Sequence, residues 1–368
     1  MKILFDQQTF CMQQYGGISR YFSELAHHIS LIPEHQIEIF APLYINEHLS
    51  PSEKITIRGR KVPHISWVGD IAIEAIDSAL SLFQTKPRKD VDIFHETYFT
   101  LVDSCPVSAK RIITVYDMIH ERSPDNHYPW NRTLHAKKKA VQRADHIICI
   151  SENTRKDLIE LLDVPENKTS VVYLGYSLSA KCTKKTYITK KPYLLYVGDR
   201  GKHKNFTTLL LAFAHSPRIR GHFSLICFGG GKFNTSEKEL MNDLDIAPTE
   251  VIQVSGDDGT LAGLYSTSSA FIYPSLYEGF GIPPLEAMSF DCPVICSNTS
   301  SLPEVVGDAA EFFNPLEEDS IGCAIERVVT SQDHSAQLVK KGYARVNKFS
   351  WKKCAKETLD VYCKVLKN

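Results

Sequence analysis

A chain of 368 residues exceeds the roughly 250–300 that one hydrophobic core usually serves, so two domains are the first expectation. With 42 Lys+Arg against 43 Asp+Glu, the formal net charge of −1 argues against holding nucleic acid through bulk positive potential, and no nucleic-acid partner is expected. Ten cysteines without a C-x-x-C pair read as reduced thiols, not as a disulfide framework or a zinc site. The run Met1–Asp6 meets its charges too early for a signal-peptide core. No stretch approaches the roughly 20 apolar residues of a bilayer crossing, so a cytoplasmic location is expected.

Short apolar runs alternate with helical patterns along the chain, the signature of parallel sheets covered by helices on both faces. Lys2–Phe5 is a predicted strand, Gln7–Gly17 a polar loop, and Ile18, Phe22, Leu25 and Ile29 recur at helical spacing before a strand at Gln36–Phe40. Further strands are expected near Asp92–His95, Arg111–Tyr116, His146–Ile150 and Ser170–Tyr173, with a helix over Glu152–Leu162. Ser177–Lys191 is polar, aperiodic and lysine-rich, which places an interdomain linker at 178–191.

A second series follows. Strands are expected at Tyr193–Gly198, Phe223–Phe228, Val251–Val254, Ala270–Tyr273 and Pro293–Ser297. Helices are expected at Asn205–Ala214, Leu261–Ser266, from Pro283, and at Trp351–Leu366. The expectation is an α/β protein of two doubly wound Rossmann-like domains, 1–177 and 192–349, facing across a cleft, with the tail helix 350–366 packing back onto the first. Ligands of such sheets bind outside the carboxyl ends of the strands.

The most informative segment is Pro274-Ser275-Leu276-Tyr277-Glu278-Gly279-Phe280-Gly281-Ile282-Pro283-Pro284-Leu285-Glu286, which joins a strand to a helix. Gly279 and Gly281 let the backbone turn and approach a ligand, and the two prolines suit a first helical turn. The amides of Gly281, Ile282, Leu285 and Glu286, at the positive end of a helix dipole, are expected to form an anion site suited to phosphate. Glu286, expected in the first turn, can accept from ribose hydroxyls, and Glu278 can orient the hydroxyls of a sugar. Either carboxylate alone also suits an ordinary loop or helix-start charge.

These residues resemble the E-x7-E signature of the retaining family-4 glycosyltransferases of the GT-B fold. The resemblance extends through Ala287–Ser297 and Ser301–Ala310 and covers nearly the whole chain. It is closest to bacterial surface-polysaccharide mannosyltransferases. In Tyr196–Asn205 the resemblance implies that Arg200 and Lys204 neutralise the leaving diphosphate, by a planar fork and a point charge. It implies close approach of Gly16 and Gly17 to the donor, with Phe280 beside it. It implies backbone contacts to the base near Val254 and Ser255. Where the family often carries a His-Asp pair, this chain has Tyr116-Asp117, so either Tyr116 or His120 is expected to meet the donor sugar and Asp117 to belong to the catalytic set.

The triplets Asp90-Val91-Asp92 and Asp243-Leu244-Asp245 are discounted as metal sites, and no metal or cofactor is expected. The basic segment 130–143, with Trp130, Leu134 and Val141 between its cations, suits either a solvated helix face or a peripheral membrane contact at the inner face of the cell membrane. The expected activity is front-face transfer of a hexose to a saccharide or lipid-linked saccharide, with GDP-mannose the first candidate donor and UDP-hexoses the second. A sugar-nucleotide epimerase, a dehydrogenase and a silent binding protein are the alternatives; the absence of G-x-G-x-x-G counts against a nicotinamide enzyme.

Overall fold

The computed structural model describes residues 1–49, 54–63, 67–122, 132–178 and 189–367. It forms two compact units, Met1–Gly175 with Ser350–Asn368, and Tyr176–Phe349. Most of the expected linker, 179–188, lies outside the described residues.

The first unit is built on a parallel sheet of seven strands: β1 Lys2–Phe5, β2 Gln36–Tyr44, β3 Ile55–Lys61, β4 Ile93–Glu96, β5 Lys110–Val115, β6 His146–Cys149 and β7 Thr169–Val171. Their order is β3-β2-β1-β4-β5-β6-β7. The second unit carries a parallel sheet of six: β8 Tyr193–Val197, β9 Ser224–Phe228, β10 Val251–Val254, β11 Ala270–Tyr273, β12 Val294–Ser297 and β13 Ala310–Phe313, in the order β10-β9-β8-β11-β12-β13. Both are doubly wound. Central strands such as Tyr-Leu-Leu-Tyr-Val in β8 and Ala-Phe-Ile-Tyr in β11 are buried along their whole length, as strands covered on both faces must be. In each sheet the order reverses once, between β1 and β4 and between β8 and β11. Loops there leave in opposite directions and open a crevice at the strands' carboxyl ends.

The helix Gly17–Ser30 turns Tyr21, Phe22, Leu25 and Ile29 inward at the expected spacing. The tail helix Trp351–Lys367 packs against it within the first unit, with the Trp351 and Tyr21 rings 6.0 Å apart. The predicted loop Gln7–Gly17 differs, because Gln8–Met12 forms a short helix with Gln8, Thr9, Phe10 and Cys11 buried. Its polar members hide it from a periodicity reading; the Thr9 amide donates to Thr97 Oγ1 at 3.1 Å, a contact made only in the fold. The edge strand β3, Ile-Thr-Ile-Arg-Gly-Arg-Lys, is mostly exposed past its first residue and lacks an apolar run to announce it.

Candidate active site at the carboxyl ends of the second sheet

Lys204 and Glu278 leave the sheet on opposite sides of the β8/β11 reversal and meet there. Lys204 Nζ donates to Glu278 Oε1 at 2.6 Å and to Tyr273 Oη at 3.3 Å, over the Tyr273 ring. Both charged side chains are largely withdrawn from solvent, 14% and 13% exposed. Burial opposes the ammonium, yet Glu278 outweighs it and holds the Lys204 pKa above that of an ordinary lysine. Burial and then Glu278 push the Tyr273 hydroxyl well above the phenol range, so it stays neutral. The backbone joins the two loops as well, the Leu276 amide donating to His203 O at 2.8 Å. Sequence reasoning missed Tyr273, which reads simply as the last residue of a buried strand.

The Glu278 loop is held by its neighbour across β12. Ser300 Oγ accepts from the Glu278 amide at 2.9 Å, and Ser301 Oγ contacts Glu278 O at 2.8 Å and Phe280 O at 2.9 Å. Gly281 then turns the chain at φ 106°, where a Cβ would stand 2.8 Å from Leu302 Cδ2. The helix it opens, Ile282–Ser289, starts one residue before Pro283. This corrects the expected anion site: Leu285 and Glu286 lie past the first three helical positions, where amides already bond within the helix, and the prolines have none. The amides at this end without an intrahelical partner are those of Gly281 and Ile282. Glu286 is likewise corrected from the first turn to the fifth helical position, where it is buried with Tyr265 Oη 3.5 Å from Oε2.

Arg200 sits in the same β8 loop, with its fork against Glu237 and the Gly229–Lys232 carbonyls. Nε donates to Glu237 Oε1 at 2.7 Å, Nη1 to Gly229 O at 3.1 Å, and Nη2 to the carbonyls of Gly230, Gly231 and Lys232 at 3.0–3.2 Å. The fork expected to neutralise a diphosphate thus makes these contacts within its own unit. Val254 and Ser255 stand at the end of β10, where Val254 O accepts from the Gly229 amide at 3.1 Å.

In the first unit, Gly16 is the N-cap of the helix Gly17–Ser30, in extended backbone, and Gln13 Oε1 takes the Ser19 amide at 3.3 Å. Tyr116, just past β5, is buried and donates its hydroxyl to Thr97 O at 2.8 Å, so that proton is already committed within the unit. Asp117 Oδ1 accepts from the Ile119 amide at 3.1 Å and starts the short helix Ile119–Arg122, which carries His120. At the β1/β4 reversal Asp6 is buried and takes the Thr97 amide and hydroxyl at 2.8 and 2.5 Å; burial raises its carboxyl to about 6. Neighbouring Glu96 is raised by burial to about 7 although Arg143 grips it at 2.9–3.1 Å.

Those contacts change the reading of the basic segment. Trp130 lies outside the described residues, Arg143 turns to Glu96, and Lys137 is buried, with Nζ 2.8 Å from Glu121 Oε2 and 3.0 Å from Asp117 O. Among the described side chains of the helix Arg132–Arg143, His135, Lys138 and Lys139 are exposed. Among the described residues no helix is long and apolar enough to cross a membrane, and no cluster of His, Cys, Asp or Glu is arranged to hold a metal.

The family model for glycosyltransferase family 4 matches residues 15–180, and that for glycosyl transferases group 1 matches residues 181–345. The chain is 30% identical over 287 residues to the O-antigen chain mannosyltransferase B of Escherichia coli, covering 73% of this chain and 74% of that protein. Among solved structures, sucrose-phosphate synthase from Thermosynechococcus elongatus superposes with a TM-score of 0.76 at 18% identity over 99% of both chains. The Anabaena protein HepE in complex with UDP-glucose superposes with a TM-score of 0.69 at 15% identity, over 99% of this chain and 100% of that one. At such identities the structural likeness speaks for the fold alone.

Proposed function

Since the chain belongs to the family-4 glycosyltransferases of the GT-B fold, we propose that it moves a hexose, with retention and without a bound metal, from a nucleotide diphosphate sugar to a hydroxyl of a saccharide or lipid-linked saccharide in surface-polysaccharide synthesis. The observation that carries this reading is the Lys204–Glu278 pair at the β8/β11 reversal, beside the helix start at Gly281. An ammonium and the two helix-start amides supply the positive field that a departing diphosphate needs, and supply it before the reaction begins. Glu278 orients sugar hydroxyls and Glu286 the ribose. As the salt-bridged partner of Lys204, Glu278 is poorly suited to attack carbon; the leaving phosphate itself takes the acceptor proton on the face it departs from.

The mannosyltransferase relative favours GDP-mannose as donor. The UDP-glucose complex of HepE makes UDP-hexoses the second candidate. Thermal shift with GDP, UDP and their sugars selects between them, and NMR of the anomeric proton in the transfer product tests retention. Failure of every nucleotide sugar to bind would overturn the reading, and an inverted anomer would overturn the stereochemistry. Slow hydrolysis of the donor without acceptor separates a transferase from a silent binding protein, and recovery of an isomer would mark an epimerase.

A further inference from the structure

Lys204 reaches the β8/β11 reversal from the short helical turn Lys202–Lys204 and Glu278 from a loop, whereas Tyr273 reaches it from a strand. It is the last residue of β11, in register with Cys296 of β12, only 2% exposed, and its ring lies 5.6 Å from that of Phe271. A side chain so enclosed keeps its hydroxyl in one place. Lys204 is the opposite, a point charge on a flexible four-carbon stem whose three donors rotate together. Two of those donors go to Glu278 Oε1 at 2.6 Å and Tyr273 Oη at 3.3 Å. The two acceptors differ in kind. Glu278 attracts the ammonium as a charge, so an arriving diphosphate competes with it. Burial keeps the Tyr273 hydroxyl neutral, so it accepts from Lys204 without competing for that charge.

We infer that Tyr273 is a positioning residue: its hydroxyl fixes the Lys204 ammonium at the β8/β11 reversal while the partner of that ammonium changes from Glu278 to the diphosphate of the donor. The inference rests on the donor reading above and adds to it a residue that acts through Lys204. An ammonium held at two donors presents the third in one direction, whereas one held by Glu278 alone swings about a single bond. Such alignment counts most when the leaving phosphate gains charge, because a preorganised donor then needs no rearrangement. The aromatic ring has its own contact, with Nζ 5.4 Å from its centre, so Tyr273→Phe removes the hydroxyl bond and leaves the ring under the ammonium.

The test is a double-mutant cycle on the full chain. Steady-state transfer from whichever of GDP-mannose or a UDP-hexose the protein uses is measured for the unaltered protein, Tyr273→Phe, Lys204→Ala and the double variant. Tyr273→Phe should lower kcat about tenfold while the donor KM moves by less than about threefold, since the ring, the ammonium and Glu278 all remain. In the Lys204→Ala background the same change should cost less than about twofold, because the group it acts through is gone. A tenfold loss that persists there would overturn the inference by showing that Tyr273 acts through the fold or on the substrate itself. An unchanged kcat in Tyr273→Phe, or a loss carried wholly by KM, would overturn it as well. Denaturant melts check the fold of each variant, and Tyr273→Met, which is apolar and adaptable in packing, replaces Tyr273→Phe if that variant melts early. Failure of the unaltered chain to transfer from any of these donors would instead sink the donor reading, before any variant is compared.

Discussion

Lys204 and Glu278 are 74 positions apart, and their pairing at 2.6 Å sets what each can do. A lysine held charged by one carboxylate is a poised counterion: an arriving diphosphate competes with Glu278 for it. Glu278→Gln keeps the shape but removes the competitor. It should tighten binding of whichever of GDP or UDP the protein prefers by several-fold while turnover falls, since the sugar loses a charged acceptor and one of its two acceptor oxygens. Titration calorimetry beside steady-state rates checks both halves, and weaker nucleotide binding in this variant would refute the competition. Lys204→Ala should cost about 3 kcal/mol of barrier, roughly a hundredfold in kcat, the scale for removing one preorganised charge stabiliser. Both residues were legible because charged side chains at strand ends stand out against buried runs. Tyr273 was not, because a tyrosine inside a strand looks the same whether or not its hydroxyl faces a functional lysine.

At the scale of elements, the loop and helix from Ser275 to Ser289 owe their geometry to a serine pair one strand away. Ser300 and Ser301 bond the loop's backbone at Glu278 and Phe280, and Gly281 makes the turn that no side chain would permit. Gly281→Ala should destabilise the second unit by about 1–3 kcal/mol, combining positive-φ strain with the contact on Leu302, and should weaken nucleotide binding by moving the helix-start amides. Denaturant melts and calorimetry measure the two effects, and a neutral result would mean that the turn tolerates a side chain. Glycines and prolines announced that a strand gives way to a helix here. The starting residue, and with it the set of amides without an intrahelical partner, was not legible, because Ile282 suits either side of a helix boundary.

The tail helix gives the first unit part of its interior at the scale of the whole molecule. Tyr362 Oη lies 2.5 Å from His95 Nδ1, whose other nitrogen is 2.9 Å from Thr114 Oγ1, so a residue near the end of the chain closes a buried hydrogen-bond chain across β4 and β5. Burial pushes the His95 pKa down to about 3. The folded state therefore binds this proton far less readily than the unfolded chain, whose histidine titrates near about 6.5. The contribution of neutral His95 is complete above about pH 6.5 and is lost as pH falls from there toward 3. Asp6 and Glu96, raised by burial to about 6 and about 7, act in the opposite sense over part of that range. The isolating measurement is thus a difference: His95→Gln should lower stability by about 2 kcal/mol at pH 7, and the gap to the unaltered chain should narrow as pH falls to 4. A gap that stays constant would contradict a neutral buried histidine.

Burial on both faces makes a parallel strand apolar from end to end, and that local requirement is why β1, β4, β8, β9 and β11 were readable one residue type at a time. The same holds for the amphipathic face of Gly17–Ser30 and for the glycine and carboxylate spacing after β11. Strand order, the two reversals, and the contacts that the Arg200 fork makes depend on partners distant in the chain. Arg200 shows the difference: its chemistry is visible in the sequence, but which acceptors surround it is a property of three loops brought together by β8, β9 and the helix Thr235–Asp243. Local patterning determined the α/β class and the chemistry on offer, and tertiary packing decided which of those groups are open to a ligand, because a hydrogen bond made inside the fold is one no longer available to a substrate.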